Sequence, residues 1–451
     1  MKLWNAPVET FLDALRAEKL WRAYIITDPQ TGAVEASHPL LHSIAETVAG
    51  DDRDYRGHEG CFFEIGRESG HLLSACVHKT VRGQAAGGVR FWRYDSVEGF
   101  VRDGLRLSLG MGQKNALAGL WWGGGKGVVA RRKDADHRDP AVRGAVYGDY
   151  GRFLTGLCGC YITAEDAGTT PEDMARVFRT TRYTTCIPET LGGSGNPSRL
   201  TATGVVMAME AALEWLGRGD LGGKTVALQG LGNVSSWMIG DLLDRGVRRI
   251  TGVDIEAAAV TACQKRYVGA SVALRVVAPG DVSILAEECD VLAPNAVGAC
   301  LTATTIPSIR APVVCGAANN QLEDPRRDAD TLKEHGVLYV PDFLANRMGI
   351  VNCANEQYGV FPGDPGIASH LDRETQTGVY RRCLEVFRRS ESSGRTAAAE
   401  AEALADELSS EPHPIWGNRG QAIIDYLVES GWAEGDPISE KGGSPGGAGH
   451  E

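Results

Sequence analysis

The segment "KTVALQGLGNVSSWMIGDLLDRGVRRITGVDI" constrains the fold more than any other part of the chain. An apolar, β-rich run stops at Gly230 and Gly232, a helical stretch opens at Asn233 and Val234, and a second apolar run ends on Asp254. Strand, glycine turn, helix, strand and terminal acid form a βαβ unit of about the 30 residues expected for dinucleotide binding. Glycine at the turn lets a pyrophosphate approach the positive end of the following helix, and an acid ending the second strand accepts hydrogen bonds from a ribose. The following "IEAAAV" has no arginine or lysine to meet a 2′-phosphate, so the expected cofactor is NAD rather than NADP. Glycines that merely turn the chain are the alternative; strand, helix and acid all in place argue against it.

The chain has 451 residues, room for two domains and a tail at roughly 100–200 residues per domain. From Cys61 onward strands alternate with helices, which indicates an α/β protein. The loop "LGGSGNPSR" is the first credible boundary, with a hinge near Asn196 to Leu200. No apolar run approaches the ~18 residues of a membrane span, and the start lacks an export signal, so the expected location is the cytoplasm. A net charge of −12 disfavours nucleic acid as a partner. Eleven scattered cysteines without a CxxC pair fit reduced packing residues, and no metal site is expected.

A second segment, "GMGQKNALAGLWWGGGKGVVA", carries Lys114 and Lys126 around a glycine cluster. It is not a phosphate loop, because Leu120 stands where the first glycine should be and Gly127 where Ser or Thr should hold magnesium. A lysine packed among glycines after Trp121 and Trp122 is partly desolvated, which lowers its pKa and suits it to proton transfer. Lys114 reads either as a point charge for a substrate carboxylate or as a solvated surface lysine. Further on, the β-rich run in "CYITAEDAGTTPEDM" stops at two acids, Glu165 and Asp166, before a capped helix start.

With these stand "GGVRFWRYDS", "CGAANNQL" and "VPDFLANRMGIVN". Six motifs in this order resemble the Glu/Leu/Phe/Val amino acid dehydrogenases, most closely those acting on leucine and phenylalanine, from about Cys61 to Tyr358. The resemblance implies reversible oxidative deamination of an L-amino acid to its 2-oxo acid and ammonia. Lys126 then activates water and stabilises the carbinolamine, Asp166 shuttles protons to and from the amino group, and Lys114 binds the substrate carboxylate. Asn319 and Thr201 contact the nicotinamide end, and Gly87 and Gly88 let the backbone approach the substrate.

The resemblance also implies two domains separated by a cleft, a substrate and oligomerisation domain and a Rossmann-type dinucleotide-binding domain, in a homo-oligomer. The expected boundaries are an N-terminal cap over 1–55, the substrate domain over 56–198, the dinucleotide domain over 199–350, helices over 351–435 returning to the substrate domain, and a disordered Gly-rich tail over 436–451.

Ala86 and Cys353 match positions where glutamate dehydrogenases hold the side-chain carboxylate, and neither pairs with one. With Met111 and Ile350 they suggest an apolar pocket, and a buried glutamate carboxylate there would cost several kcal/mol. The expected substrate is of the leucine, valine or phenylalanine type. "NRMG" departs from the small-residue "NAGG" of relatives: Arg347 reads as a surface residue, with recognition of an unusual substrate group as the other reading. That departure and "LWW" motivate one rival, an imine-reducing enzyme of specialised metabolism; the second rival is a catalytically quiet NAD-binding sensor, against which Lys114, Lys126 and Asp166 together argue.

Overall fold

The computed structural model describes residues 3–435, so the tail expected over 436–451 lies outside the described residues. The chain divides into two compact units. The first holds residues up to Gly112, then Trp121–Gly195, and the stretch from Ser409 onward; the second holds Gln113–Leu120 and Asn196–Leu408.

The first unit contains helices α1 (Val8–Ala17) and α2 (His42–Ala49) and strands β1 (Arg22–Thr27), β2 (Val34–Ala36), β3 (Gly60–Ile65), β4 (Leu72–Val77) and β5 (Ala85–Trp92). There follow α3 (Val97–Leu117), whose last turn counts with the second unit, then β6 (Gly123–Ala130), α4 (Pro140–Gly156), β7 (Tyr161–Glu165) and α5 (Pro171–Phe178). The seven strands run in the order β2-β1-β3-β4-β6-β5-β7. The β5 strand lies parallel to both β6 and β7, while β4 is antiparallel to β6. Every residue of β6 is buried, so the glycine cluster around Lys126 is an interior strand whose missing side chains let helices and neighbouring strands close in. A Cβ on Gly124, for example, would lie 2.4 Å from Ser108 O on α3.

The first 55 residues are not an accessory cap. The β1 strand pairs with β3 from Arg22↔Glu64 to Ile26↔Gly60, and Arg22 Nε meets Glu64 Oε2 at 2.7 Å in the interior. Phe11, Leu12 and Leu15 of α1 join Ile25, Phe63 and Phe100 in one core. The i, i+3/i+4 spacing of the α1 residues gives that helix its apolar stripe.

The second unit begins with α6 (Ser198–Trp215), β8 (Thr225–Gln229), α7 (Asn233–Asp244), β9 (Arg249–Asp254), α8 (Ala257–Arg266), β10 (Val272–Val276), β11 (Val291–Pro294) and β12 (Val313–Val314). It continues with α9 (Arg327–Glu334), β13 (Leu338–Tyr339), α10 (Asp342–Ala345), α11 (Met348–Glu356), α12 (Pro365–His370), α13 (Val379–Ser393) and α14 (Ala397–Ser409). Its six strands are all parallel, in the order β10-β9-β8-β11-β12-β13. In sequence rank that is 3-2-1-4-5-6, the doubly wound Rossmann order, with the ligand crevice at the carboxyl ends of the strands where the order reverses.

Helices α11 to α14 pack on this unit, which corrects the expectation that residues 351–435 return to the substrate domain. Val379, Cys383, Val386 and Phe387 of α13 share a core with Val205 and Met209 of α6, as do Ala401 and Leu404 of α14. Only the end of the chain, with α15 (Arg419–Glu429), counts with the first unit. There Trp432 packs edge-on against Phe62, ring centroids 5.5 Å apart.

Candidate active site

In the first unit, Lys126 and Asp166 come together because of strand order. Lys126 sits in the middle of β6, Asp166 directly follows β7, and β5 runs between them. Strands lie ~4.8 Å apart, so a lysine must span about two strand spacings across β5 to reach the acid. Gly88 clears the way: a Cβ there would lie 2.8 Å from Asp166 Cβ and 2.5 Å from Glu165 O. Gly87 is equally constrained, since a Cβ would lie 2.0 Å from Gly125 O and 2.8 Å from Met111 Cγ. Its carbonyl accepts the Tyr161 hydroxyl at 2.6 Å.

Lys126 Nζ is 2.7 Å from Asp166 Oδ2. The same oxygen accepts Arg90 Nε at 3.2 Å, Arg90 Nη1 donates to Asp103 Oδ2 at 3.0 Å, and Tyr94 Oη donates to Asp103 at 2.6 Å. Burial pulls the Lys126 ammonium below its ordinary value, with Asp166 opposing and Arg90 reinforcing the shift. Burial alone would raise Asp166, but the charges of Lys126 and Arg90 outweigh it and hold the carboxyl well below the usual range. The result is a dry lysine that gives up its proton more readily than one in water, beside a carboxylate that stays ionised. Thr169 holds the acid's backbone, accepting the Asp166 N–H at 2.8 Å and donating to Asp166 O at 2.7 Å. Thr170 and Asp173 then form the capping box that starts α5.

Arg90 and Asp103 went unassigned in the sequence. A signal was there for Arg90, since it stands two residues after Gly88 on β5 and so shares its face. Asp103 lies within α3 among other charged residues, and nothing local distinguishes it.

Lys114, on the last turn of α3, belongs to the second unit. Its Nζ donates to Asn319 Oδ1 at 2.7 Å, and that oxygen also accepts Asn346 Nδ2 at 2.9 Å. Asn320 sits at φ +53°, held by Asp342 Oδ2, which accepts its N–H at 2.9 Å. Burial raises the Asp342 pKa, with the Lys114 charge opposing. Thr201, near the start of α6, donates to Pro197 O, and a Cβ on Gly349 would lie 2.8 Å from its hydroxyl. Ile350 and Cys353 are buried and three residues apart on α11, hence on one face. Ala86 is buried beside Gly87 in the first unit, where Met111 is half-buried.

Arg347 is not a surface residue. Its side chain is 0% exposed, donating to the carbonyls of Leu117 and Thr377. Met348 beside it is also buried, and a Cβ on Gly204 of α6 would lie 2.5 Å from its Cγ.

The glycine turn fits a dinucleotide. Gly230 has φ +92°, and a Cβ there would lie 2.8 Å from Ala296 Cα, so side chains are barred. Gly232 is open: a Cβ there would meet nothing within 4 Å, and no side chain caps the start of α7. The amides of Asn233 and Val234 therefore face a clear approach at the positive end of a helix. Asp254 anchors the turn, accepting Leu231 N at 2.6 Å and Glu256 N at 2.8 Å.

Comparison with known proteins identifies a family. A family model described as "Glu/Leu/Phe/Val dehydrogenase, dimerisation domain" matches residues 63–183, and one described as "Glutamate/Leucine/Phenylalanine/Valine dehydrogenase" matches residues 192–405. The chain is 41% identical to a leucine dehydrogenase of Geobacillus stearothermophilus over 67% of its own length and 79% of the relative's. It is 35% identical to a valine dehydrogenase of Streptomyces coelicolor over 86% of its length and 100% of the relative's. Among solved structures it resembles L-tryptophan dehydrogenase from Nostoc punctiforme, with TM-score 0.62 and 29% identity, covering 78% of this chain and 96% of that one.

Proposed function

The chain belongs to the glutamate/leucine/phenylalanine/valine dehydrogenase family and is an amino acid dehydrogenase, and on that premise we propose that it oxidatively deaminates an apolar L-amino acid reversibly, with NAD as its cofactor. The buried Lys126–Asp166 pair carries this reading. Asp166, ionised, accepts a proton from the substrate ammonium, and Lys126, in its neutral form, takes one from the water that attacks the imine carbon. The two proton transfers need a lysine that is a weaker base than in water and a carboxylate that stays charged; burial lowers Lys126 against the pull of Asp166, and the charges of Lys126 and Arg90 keep Asp166 ionised. Lys114 holds the substrate carboxylate as a point charge, which contributes orientation.

Gly232, Asn233, Val234 and Asp254 hold the dinucleotide, which when bound accepts the hydride. The acid at the end of β9 favours NAD, since its charge opposes a 2′-phosphate. Ala86, Met111, Ile350 and Cys353 present no group to pair a side-chain carboxylate, which supports an apolar substrate. The first unit matches a model described as a dimerisation domain, which supports a homo-oligomer.

The test is NADH formation by the full chain with each L-amino acid, repeated with NADP. Strong rates with leucine, valine, phenylalanine or tryptophan and NAD support the reading. Silence with every amino acid, despite measurable NADH binding, overturns it.

A further inference from the structure

The last turn of α3 carries Lys114, and its four terminal carbonyls need donors from outside the helical pattern. Ala118 N takes Lys114 O at 3.0 Å, Leu120 N takes Asn115 O at 2.9 Å, and Gly119 N takes Ala116 O at 2.9 Å. The remaining carbonyl, Leu117 O, accepts Arg347 Nη1. Gly119, at φ +71°, lets the chain turn away, and a Cβ there would touch Thr377 Cγ2 at 2.9 Å. Arg347 Nη2 donates to Thr377 O at 2.6 Å.

No described carboxylate forms an ion pair with Arg347, although the side chain is fully buried. Its charge is met instead by carbonyl dipoles, including the negative end of α3. A buried cation without a counterion is expensive, and a methionine or leucine of similar reach would fill the space more cheaply. What only the guanidinium does is bind two carbonyls at a fixed angle at once. Its neighbour Asn346 is linked to the same helix end through Asn319 Oδ1, which accepts both Asn346 Nδ2 and Lys114 Nζ. Adjacent residues thus hold both the backbone and the ammonium of one helical turn.

We propose that Arg347 is a positioning residue that sets the substrate-carboxylate site by clamping the last turn of α3, which carries Lys114, to the Thr377 loop. This rests on the reading of Lys114 as the carboxylate ligand. The clamp acts on binding of the carboxylate, common to ground state and transition state, so its loss appears in KM rather than kcat.

The experiment compares wild type with Arg347→Met and Arg347→Lys, reading amide hydrogen exchange by peptide mass spectrometry and steady-state kinetics at saturating NAD. In Arg347→Met, exchange over residues 114–120 accelerates at least tenfold while residues 225–245 stay as in wild type. KM for the amino acid rises at least tenfold with kcat within threefold, and Arg347→Lys recovers part of the loss. Unaltered exchange over 114–120, or a fall in kcat beside the rise in KM with faster exchange throughout the second unit, overturns the proposal. If Arg347→Met does not fold, Arg347→Gln, which keeps one donor, is read by the same criteria. A wild-type chain that turns over no amino acid removes the proposed reaction, while the exchange data still decide whether Arg347 clamps the helix.

Discussion

Lys126 Nζ lies 2.7 Å from Asp166 Oδ2, with the lysine side chain 5% exposed and the aspartate 18%. The acid is therefore reachable from outside while the lysine behind it is dry. Removing Asp166 leaves the buried Lys126 ammonium without its counterion, whereas removing Lys126 leaves Asp166 with Arg90 alone.

Lys126→Ala and Asp166→Asn should each lower kcat/KM by at least ~10³-fold, within the range that a positioned acid or base supplies together with its electrostatic effect. NADH binding, followed by fluorescence titration, should stay unchanged, because the glycine turn belongs to the other unit. Near wild-type turnover in either variant would show that the chemistry is assigned to the wrong residues.

Arg90 lowers the Lys126 pKa, so its removal should raise it. In the deamination direction kcat/KM climbs as Lys126 loses its proton, with a midpoint below the ~10.4 of a solvated lysine. Arg90→Gln should move that climb to higher pH. The same change leaves Asp103 with Tyr94 and Arg106 only and should reduce stability by roughly 1–3 kcal/mol, less than for a fully buried pair because Arg90 keeps some solvent contact. A pH profile identical to wild type would remove Arg90 from the network.

Two glycines in one turn should respond differently to alanine. Gly232→Ala meets open space in an extended conformation, φ −70° and ψ −163°, so stability should change by less than ~0.5 kcal/mol. Its methyl should obstruct the pyrophosphate approach and weaken NADH binding at least about tenfold, or ~1.4 kcal/mol. Gly230→Ala, at φ +92° against Ala296, should instead destabilise the fold by about 1–3 kcal/mol. Denaturant melts and NADH titrations of both variants separate the two effects, and equal behaviour would contradict the geometry.

Acid should destabilise the protein well above the carboxylate range. His58 is buried with its ring nitrogen on Leu105 O, and burial pushes its pKa from 6.5 down to about 4. Between those values the unfolded chain binds a proton that the folded chain does not, so stability present above pH 6.5 is lost as pH falls toward 4. One such group contributes about 2–3 kcal/mol over the window. His71 and His370, each pushed by burial down to about 4, act in the same direction. Denaturant melts from pH 7 to 4.5 should show the loss, with a shallower slope in His58→Gln; an equal slope in that variant would exclude His58 as a source.

The features legible in the bare sequence are those whose physics is local. Gly230, Gly232 and Asp254 sit where a parallel βαβ unit needs a turn without side chains and an acid at a strand end, and both requirements lie within a few residues of one another. The glycines around Lys126 likewise announced a crowded, dry lysine. The remaining features needed the folded chain. That β1 pairs with β3, rather than forming a separate cap, depends on a partner strand distant in sequence. That α13 packs on α6 depends on matching two apolar faces, and the residue pattern of α13 suits either unit equally well. Arg347 shows the limit most clearly: an arginine is normally exposed because its charge needs solvation, and this one is buried because Leu117 O and Thr377 O, far away in the chain, solvate it instead.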